Sequence, residues 1–422
     1  MVRAFTYTFL LILCACSPSL TVTRKISDLS EKFSHHSGFV LCDPVTGKQL
    51  VNVNGGKYFT PASNTKILTL FSALTTLGDS IPALKYRIAG DSLLISGSGD
   101  PSLFYQETYT NSRTVDFLQG FQGHIYLTPR NFSPSTFGPG WSWDDYDSYY
   151  QPERNEFPVY GNVITVKSLK EKNVVRPSIF SDSVDQTETR SEFFRRQSRN
   201  KFLIPAAGVK NKSVSIPFLT SGNLTARLLS DTIRNSVSWI NKPVKTDRIL
   251  YSIPSDSLYK TMMQKSDNLI AEQLLMMVAD KKTDTLDAAI AIRKILSTEL
   301  ADLPQRPIWV DGSGLSRYNQ ITPEDITVVW KKILAKRSPE RLFPLLAASG
   351  RNGTLSGLNK GTKPFVFGKT GTLSNNYSLS GYLITRRNRL LIFSSMNANF
   401  TVPARQVRDE LENILLYIHD RY

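Results

Sequence analysis

Three short polar motifs, widely separated along the chain, constrain the fold more than any other feature of the sequence. They are Ser63-x-x-Lys66, Ser266-x-Asn268 and Lys369-Thr370-Gly371. Together they supply a hydroxyl nucleophile, an amine base, a second hydroxyl and a cation that can hold a carboxylate. If they serve one site, the chain must return to that site after about 200 residues, enough to form a whole domain. The spacing therefore predicts an insertion between the first and second motifs.

The residues that follow Ser63 distinguish its motif from chance copies at Ser198/Lys201 and Ser257/Lys260. Ser198 lies in a basic polar run that is typical of an exposed surface. Ser63 instead precedes apolar residues that recur at helical spacing over 67–74, and Gly78 ends this pattern. We therefore expect a buried helix with Ser63 at its positive N-terminal end and Lys66 one turn away on the same face.

The other two motifs also border apolar segments. Ser266-Asp267-Asn268 comes directly before the apolar run 269–278, so we expect it where a buried helix begins. Lys369-Thr370-Gly371 follows the apolar residues 365–367 and is expected on a strand. Residues 379–385 and 390–396 then predict a β-hairpin.

With these motifs in this order, the chain resembles the D-alanyl-D-alanine carboxypeptidase/endopeptidase family of penicillin-binding protein 4 type, the low-molecular-mass class C penicillin-binding proteins. Four further segments occur in the order that the family has: 97–103, 141–145, 311–317 and 353–355. The resemblance spans most of residues 25 to 420. It implies an α/β (α+β) catalytic domain like that of serine β-lactamases and penicillin-binding transpeptidases, with an antiparallel sheet flanked by helices.

The same resemblance and the motif spacing predict how the chain is divided. We expect a catalytic domain from residues 22–85 and 246–422, and an inserted, mainly β region over 86–245. Short β-like segments such as Tyr86-Arg87-Ile88 and 163–166, separated by Gly, Ser, Asn and Pro turns, support the β assignment. A hydrophobic content of 41% is enough for more than one domain.

The chemistry requires an activated serine, since a neutral hydroxyl attacks an amide poorly. Lys66 can take the Ser63 proton only when it is neutral, which requires burial and a neighbouring positive charge such as Lys369 to lower its pKa. Ser266 can pass the proton to the leaving amine. Asn268 can hydrogen-bond both Lys66 and the substrate peptide.

The resemblance assigns substrate-binding roles to the third motif. Lys369 and Thr370 would hold the terminal carboxylate of D-alanine, and Gly371 lies on the same substrate-binding strand. The backbone N–H groups of Ser63 and Thr372 would form the oxyanion hole.

A second set of residues is implied to bind the side-chain end of a diamino acid in the stem peptide. Motif matching puts Asp145, Tyr150, Arg317 and Ser374 at those positions. Asp145 and Arg317 fit a zwitterionic amino-acid terminus by charge. Ser374 stands where relatives carry a longer amide.

The N-terminus predicts export. Arg3 precedes the apolar run 5–16, which is shorter than the roughly 20 residues that a membrane-spanning helix needs. We therefore expect residues 1–16 to be a signal peptide. The sequence Leu13-Cys14-Ala15-Cys16 resembles a bacterial lipoprotein box, which would be cleaved before Cys16 and lipidated on that thiol. The predicted location is the bacterial periplasm or cell envelope, with a lipid anchor in a membrane.

The predicted partners follow from charge and composition. The net charge of +15 would favour encounter with anionic cell-wall polymer and lipid. The basic runs lack interleaved aromatic residues, so no nucleic acid is expected. The four histidines and the Cys and carboxylate residues show no metal-ligand spacing, so we expect no metal and no cofactor. The expected partners are peptidoglycan peptides, with β-lactams as covalent inhibitors.

Two alternative functions stay open at this point. A β-lactamase or esterase of the same superfamily is one, although no deacylating Glu-x-x-Leu-Asn loop is seen. The other is a non-catalytic wall-binding or penicillin-sensing protein, which would be expected to have lost a motif residue.

Overall fold

The computed structural model describes residues 17–106, 112–132, 135–169, 172–187, 193–205 and 213–422. The predicted signal peptide and Cys16 lie outside these residues. The described helices are α1 Pro18–Lys32, α2 Lys66–Thr76, α3 Ser112–Gly120, α4 Gly222–Ile233, α5 Ser255–Lys265, α6 Asn268–Thr283, α7 Ala288–Ser297, α8 Pro323–Lys336, α9 Pro339–Leu342 and α10 Ala404–Arg421. The described strands are β1 His36–Cys42, β2 Gln49–Val53, β3 Ser80–Ala89, β4 Ser92–Gly97, β5 His124–Leu127, β6 Val163–Leu169, β7 Lys172–Arg176, β8 Val184–Thr187, β9 Phe194–Arg195, β10 Phe202–Pro205, β11 Ser213–Pro217, β12 Val237–Trp239, β13 Arg248–Pro254, β14 Ala347–Ala348, β15 Val366–Leu373, β16 Asn376–Ile384 and β17 Leu390–Ala398.

The chain forms two compact units. The first unit comprises residues 17–64, 302–308 and 320–422, and the second comprises Thr65–Ala301 and Trp309–Asn319. The first unit is built on a six-stranded sheet in the order β14-β15-β16-β17-β1-β2, and every neighbouring pair in it is antiparallel.

Alternation along the strands explains why helices cover both faces of this sheet. Phe39 and Leu41 of β1 lie in the hydrophobic cluster that also contains α1 and α10. Tyr382 of β16 points the other way, and its hydroxyl donates to the backbone oxygen of Trp330 in α8 at 2.7 Å. The sheet is therefore flanked by α1 and α10 on one face and by α8 on the other.

The second unit contains a mixed sheet in the order β12-β5-β4-β3-β13 and two three-stranded sheets, β11-β6-β7 and β8-β10-β9. A single hydrophobic cluster joins these strands with α3 and α4. The helices α2, α5 and α7 contact α6, whose residues are buried on all sides from Leu269 to Asp280. Burial on all sides is expected of a helix at the centre of a domain.

Most of the predicted elements are confirmed. The structure has the predicted hairpin as β16 and β17, and the third motif lies on β15. Ser63 lies in a 3-10 turn, Ala62–Thr65, and α2 follows directly. The fold class, an antiparallel sheet flanked by helices with a mainly β insertion, is confirmed. The mixed sheet of the second unit runs from Ser80 to Pro254, so it extends beyond both boundaries predicted for the insertion.

No helix within the described residues is long and apolar enough to cross a bilayer.

Candidate active site

The turn that carries Ser63 lies against the strand of the third motif, and both belong to the first unit. Ser63 is half-buried, and the preceding Ala62 has a left-handed backbone with φ of 48°. A Cβ atom on Gly371 would lie 2.6 Å from the Pro61 oxygen and 3.0 Å from the Ser63 nitrogen. Glycine is therefore required for β15 to approach the backbone N–H of Ser63 so closely.

Asn64, which lies inside the first motif but is not one of its defining residues, fixes this approach. Its fully buried side chain donates from Nδ2 to the Lys369 oxygen at 3.1 Å and accepts from the Ser380 hydroxyl at 2.5 Å. The indole Nε1 of Trp330 donates to that same hydroxyl at 3.0 Å. These bonds attach the Ser63 turn to β15 and β16. The position of Asn64 between Ser63 and Lys66 could have indicated this role, since a polar amide is unusual where a helix enters a hydrophobic core.

The third motif presents its side chains at different depths. Lys369 is fully buried, and its Nζ donates to the Thr370 backbone oxygen at 2.7 Å. The Thr370 hydroxyl donates to that of Thr354, within one of the additional family segments, at 2.7 Å. Thr372 is exposed, as is Ser374 just beyond the end of β15.

Lys66 is the first residue of α2, in the second unit, and is fully buried. Its Nζ donates to Asn268 Oδ1 at 2.6 Å and to the Ser313 backbone oxygen at 2.7 Å. Burial lowers the pKa of Lys66 from 10.5 to about 8, although the carboxylates of Asp311, Asp267 and Glu272 act to raise it. Burial outweighs these three charges, and the contribution predicted for the Lys369 cation stays a prediction.

The second motif forms the short connection between α5 and α6. Ser266 is half-buried and has a left-handed backbone with φ of 62°, and the helix begins at Asn268. Asp267 caps that helix by accepting from the Ile270 N–H at 2.8 Å, and its second oxygen accepts from the Tyr105 hydroxyl at 2.5 Å. This connection sets the direction in which Asn268 enters the site.

A buried carboxylate, Asp311, fixes the conformation of the loop 311–319. This loop supplies the Ser313 oxygen, the second acceptor for Lys66. Asp311 was part of a family segment, but sequence reasoning gave it no role. Its two oxygens accept four hydrogen bonds at 2.7 to 2.9 Å, so the loop has one well-defined conformation. The donors are the backbone N–H groups of Gly314 and Ser316, the indole of Trp141 and the side-chain amide of Asn319.

Glu272 is a second carboxylate that sequence reasoning missed. It lies one turn after Asn268 on α6, is fully buried, and accepts from the Ser313 N–H at 2.7 Å. Arg154 pairs with it at 3.2 Å and also lies 5.3 Å from the centre of the Trp141 ring. Helix α6 thus supplies one acceptor for Lys66 directly and fixes the other through Glu272. A charged residue inside an otherwise apolar helical run was the signal that could have revealed it.

Two of the four predicted specificity residues are connected to Asn268. The Tyr150 hydroxyl donates to Asp145 Oδ1 at 2.8 Å, and the Tyr150 backbone oxygen accepts from Asn268 Nδ2 at 2.8 Å. Arg317 is exposed on the Asp311 loop, in the same unit. Ser374 belongs to the first unit.

Comparison with known proteins identifies the family to which the chain belongs. The model of the D-Ala-D-Ala carboxypeptidase 3 (S13) family matches residues 22–197 and 218–416. The D-alanyl-D-alanine carboxypeptidase DacB of Haemophilus influenzae is 23% identical over 87% of this chain and 87% of its own.

Solved structures show the same fold. Penicillin-binding protein 4 of H. influenzae superposes with a TM-score of 0.74 at 23% identity, covering 94% of this chain and 99% of that one. A second structure of that protein is a complex with a β-lactam. A predatory peptidoglycan endopeptidase of Bdellovibrio bacteriovorus gives a TM-score of 0.53 at 16% identity, covering 90% and 91%.

The chain belongs to the D-Ala-D-Ala carboxypeptidase 3 (S13) family, and it is a serine peptidase. The family predicted from the motifs is thus confirmed.

The carboxylates around Lys66 allow a prediction about its pKa. Replacing Glu272 by glutamine keeps an acceptor for the Ser313 N–H but removes a negative charge that raises the pKa of Lys66. We expect Glu272→Gln to lower that pKa further below its value of about 8. Carbon-detected NMR titration of labelled lysine, with Lys66→Met for assignment, measures it.

Glu299→Gln is the matched control, because Glu299 pairs with Lys282 elsewhere in the second unit. It should leave the Lys66 titration unchanged. An unchanged or raised Lys66 pKa in Glu272→Gln would contradict the electrostatic role assigned to Glu272.

Proposed function

We propose that the chain is a serine D-alanyl-D-alanine carboxypeptidase and endopeptidase that cleaves peptidoglycan stem peptides and their cross-links through an acyl-enzyme. The observation that carries this proposal is a fully buried Lys66, three residues after Ser63, whose amine is held by Asn268 and the Ser313 oxygen. Membership of a D-Ala-D-Ala carboxypeptidase family supports the substrate class. The Bdellovibrio endopeptidase supports the second activity, because it shares the fold.

The proposed reaction begins with proton transfer from Ser63 to Lys66. With a pKa of about 8, roughly one tenth of Lys66 is neutral at pH 7 and can act as the base. The Ser63 oxygen bonds to the carbonyl carbon of the penultimate D-alanine, and the C–N bond to the terminal residue breaks. Ser266 relays the proton to the departing amine, and water then hydrolyses the ester. In a cross-link, the departing amine belongs to the neighbouring stem peptide.

Lys369 and Thr370 are proposed to bind the terminal carboxylate, and the N–H groups of Ser63 and Thr372 to bind the oxyanion. The fit of Gly371 against the Ser63 nitrogen supports this, because it brings a strand edge beside one oxyanion donor. One such donor is typically worth about 3 kcal/mol of transition-state stabilisation. A β-lactam presents a carbonyl and a carboxylate to the same groups, so it should acylate Ser63.

Asp145, Tyr150, Arg317 and Ser374 are proposed to recognise the diamino acid. The support is the bond from Tyr150 to Asp145 and the bond from Asn268 to the Tyr150 backbone, which connect two of them to a proposed catalytic residue.

The location and the domain boundaries are also proposals. We infer export through residues 1–16, lipidation of Cys16 and a lipid-anchored enzyme in the periplasm or cell envelope. We likewise propose a catalytic domain over 22–85 and 246–422 with the insertion over 86–245.

The nucleophile can be tested by covalent labelling. A fluorescent penicillin should label the wild-type protein and should not label Ser63→Ala, because that change removes the hydroxyl three residues before the buried Lys66. Ser257→Ala, which changes the chance motif copy on α5, is the matched control and should label normally. Label that persists on Ser63→Ala, mapped by mass spectrometry to another serine, would refute the assignment. Rapid release of hydrolysed penicillin would instead indicate a β-lactamase.

Arg317 can be tested by comparing substrates. We expect Arg317→Ala to raise KM about tenfold for stem peptides that carry the diamino acid, as loss of one charged contact would. Penicillin acylation should change little, since penicillin lacks that group, whereas Lys369→Ala should impair both reactions. Arg248→Ala, an exposed arginine elsewhere in the second unit, is the control. Equal damage to penicillin acylation in Arg317→Ala would rule out a specificity role.

Anchoring can be tested on the full-length chain expressed in bacteria. The mature protein should partition with membranes, and Cys16→Ala should release it or block its processing. Cys42→Ala is the matched control, because that half-buried thiol lies within the folded first unit. Intact-mass analysis that finds an unmodified N-terminus would exclude lipidation.

A further inference from the structure

Three large aromatic side chains stand out of the second unit into solvent, close in sequence to the proposed specificity residues. Trp143 is 75% exposed, Tyr149 71% and Tyr318 63%. Exposed aromatic surface forgoes the stabilisation that burial would give, so a concentration of it marks a binding surface.

Two of these side chains lie on one closed loop. Trp143 and Tyr149 belong to loop 142–151, whose ends are joined by a bond from Gln151 Nε2 to the Ser142 oxygen at 2.8 Å. The Tyr149 ring also contacts the ring of Tyr150 edge-on, with centroids 5.4 Å apart.

Tyr318 approaches this loop from the Asp311 loop. Its ring lies against the backbone of Gly140, where a Cβ atom would come within 2.7 Å of the ring. The bond from the Trp141 indole to Asp311 joins the two loops at 2.9 Å. The aromatic side chains are therefore carried by two connected loops, which also bear Asp145, Tyr150 and Arg317.

We propose that Trp143, Tyr149 and Tyr318 form a subsite for the sugar chain to which the stem peptide is attached. This deepens the proposed function and rests on it. Flat aromatic faces bind the apolar C–H faces of pyranose rings, and the neighbouring polar groups can bond the sugar hydroxyls. The loop is continuous with the proposed peptide site through Tyr150, so a sugar here would lie beside the bound stem peptide.

A lipid surface is the competing occupant, because Trp and Tyr also favour membrane interfaces. The charges argue against it. Asp144 is exposed beside Trp143, and half-buried Asp145 and Asp147 follow in the same loop. The loop therefore presents three carboxylates that would be repelled by anionic lipid. A neutral, hydroxyl-rich chain suffers no such repulsion.

The test compares wild type with the double variant Trp143→Ala/Tyr149→Ala on three substrates: a disaccharide-bearing muropeptide, the same stem peptide without sugars, and a penicillin. We expect kcat/KM for the muropeptide to fall about tenfold, mainly through KM, towards that of the sugar-free peptide. Peptide cleavage and penicillin acylation should stay within twofold. Ile249→Ala, which changes an exposed apolar residue on β13, is the matched control and should show no loss.

A second measurement needs no catalysis. Wild type should co-sediment with chitin, a neutral polymer of N-acetylglucosamine, and the double variant should not. The binding measurement separates the two proposals. A wild-type protein that neither cleaves muropeptides nor reacts with penicillin would refute the peptidase function, whereas binding to the sugar polymer would still test the subsite.

Three results would overturn the subsite. The first is an unchanged preference for the muropeptide in the double variant, and the second is an equal loss on the sugar-free peptide. The third is a loss of binding to vesicles of phosphatidylglycerol and phosphatidylethanolamine with sugar binding intact, which would identify a lipid-facing surface.

Discussion

The burial of the Lys66 amine is the constraint on which the rest of the site depends. A buried amine with no acceptors would cost several kcal/mol, so the fold must supply them. It does so from one helix, because α6 carries Asn268 and, one turn later, the Glu272 that fixes Ser313. That requirement explains why the most enclosed helix of the second unit carries an amide and a carboxylate among its apolar residues.

The proposed insertion contributes directly to this arrangement. Arg154 and Trp141 both come from its chain segment, and they bond to Glu272 and Asp311 respectively. Removing one partner of a buried ion pair typically costs about 3 to 5 kcal/mol, because the other is left charged and unpaired, so loss of Arg154 would disturb the surroundings of Lys66. The same stretch of chain carries Asp145 and Tyr150, which are proposed to recognise the substrate, so it would couple recognition to the geometry around Lys66.

The sequence was sufficient to predict the hairpin, the family and the fold class. Helical periodicity predicted α2, and the apolar residues 365–367 predicted the strand β15. It could not identify Asn64, Glu272 or Asp311, because their importance lies in bonds to residues far away in sequence, such as Ser380 and Ser313. The pairing of β3 with β13, at the two ends of the proposed insertion, could not be predicted either, because such pairing leaves no local pattern.

The pKa of Lys66 is set by a balance between burial and the neighbouring carboxylates. Burial alone would drive the amine towards neutrality, but a strongly depressed pKa would also make it a weak base. Three carboxylates oppose the shift and leave the pKa at about 8. Two of them, Asp311 and Glu272, are themselves fully buried, and burial together with their mutual repulsion raises the pKa of Glu272 while Arg154 opposes that rise. Arg154 thus favours the charged form of Glu272, which in turn acts to raise the pKa of Lys66.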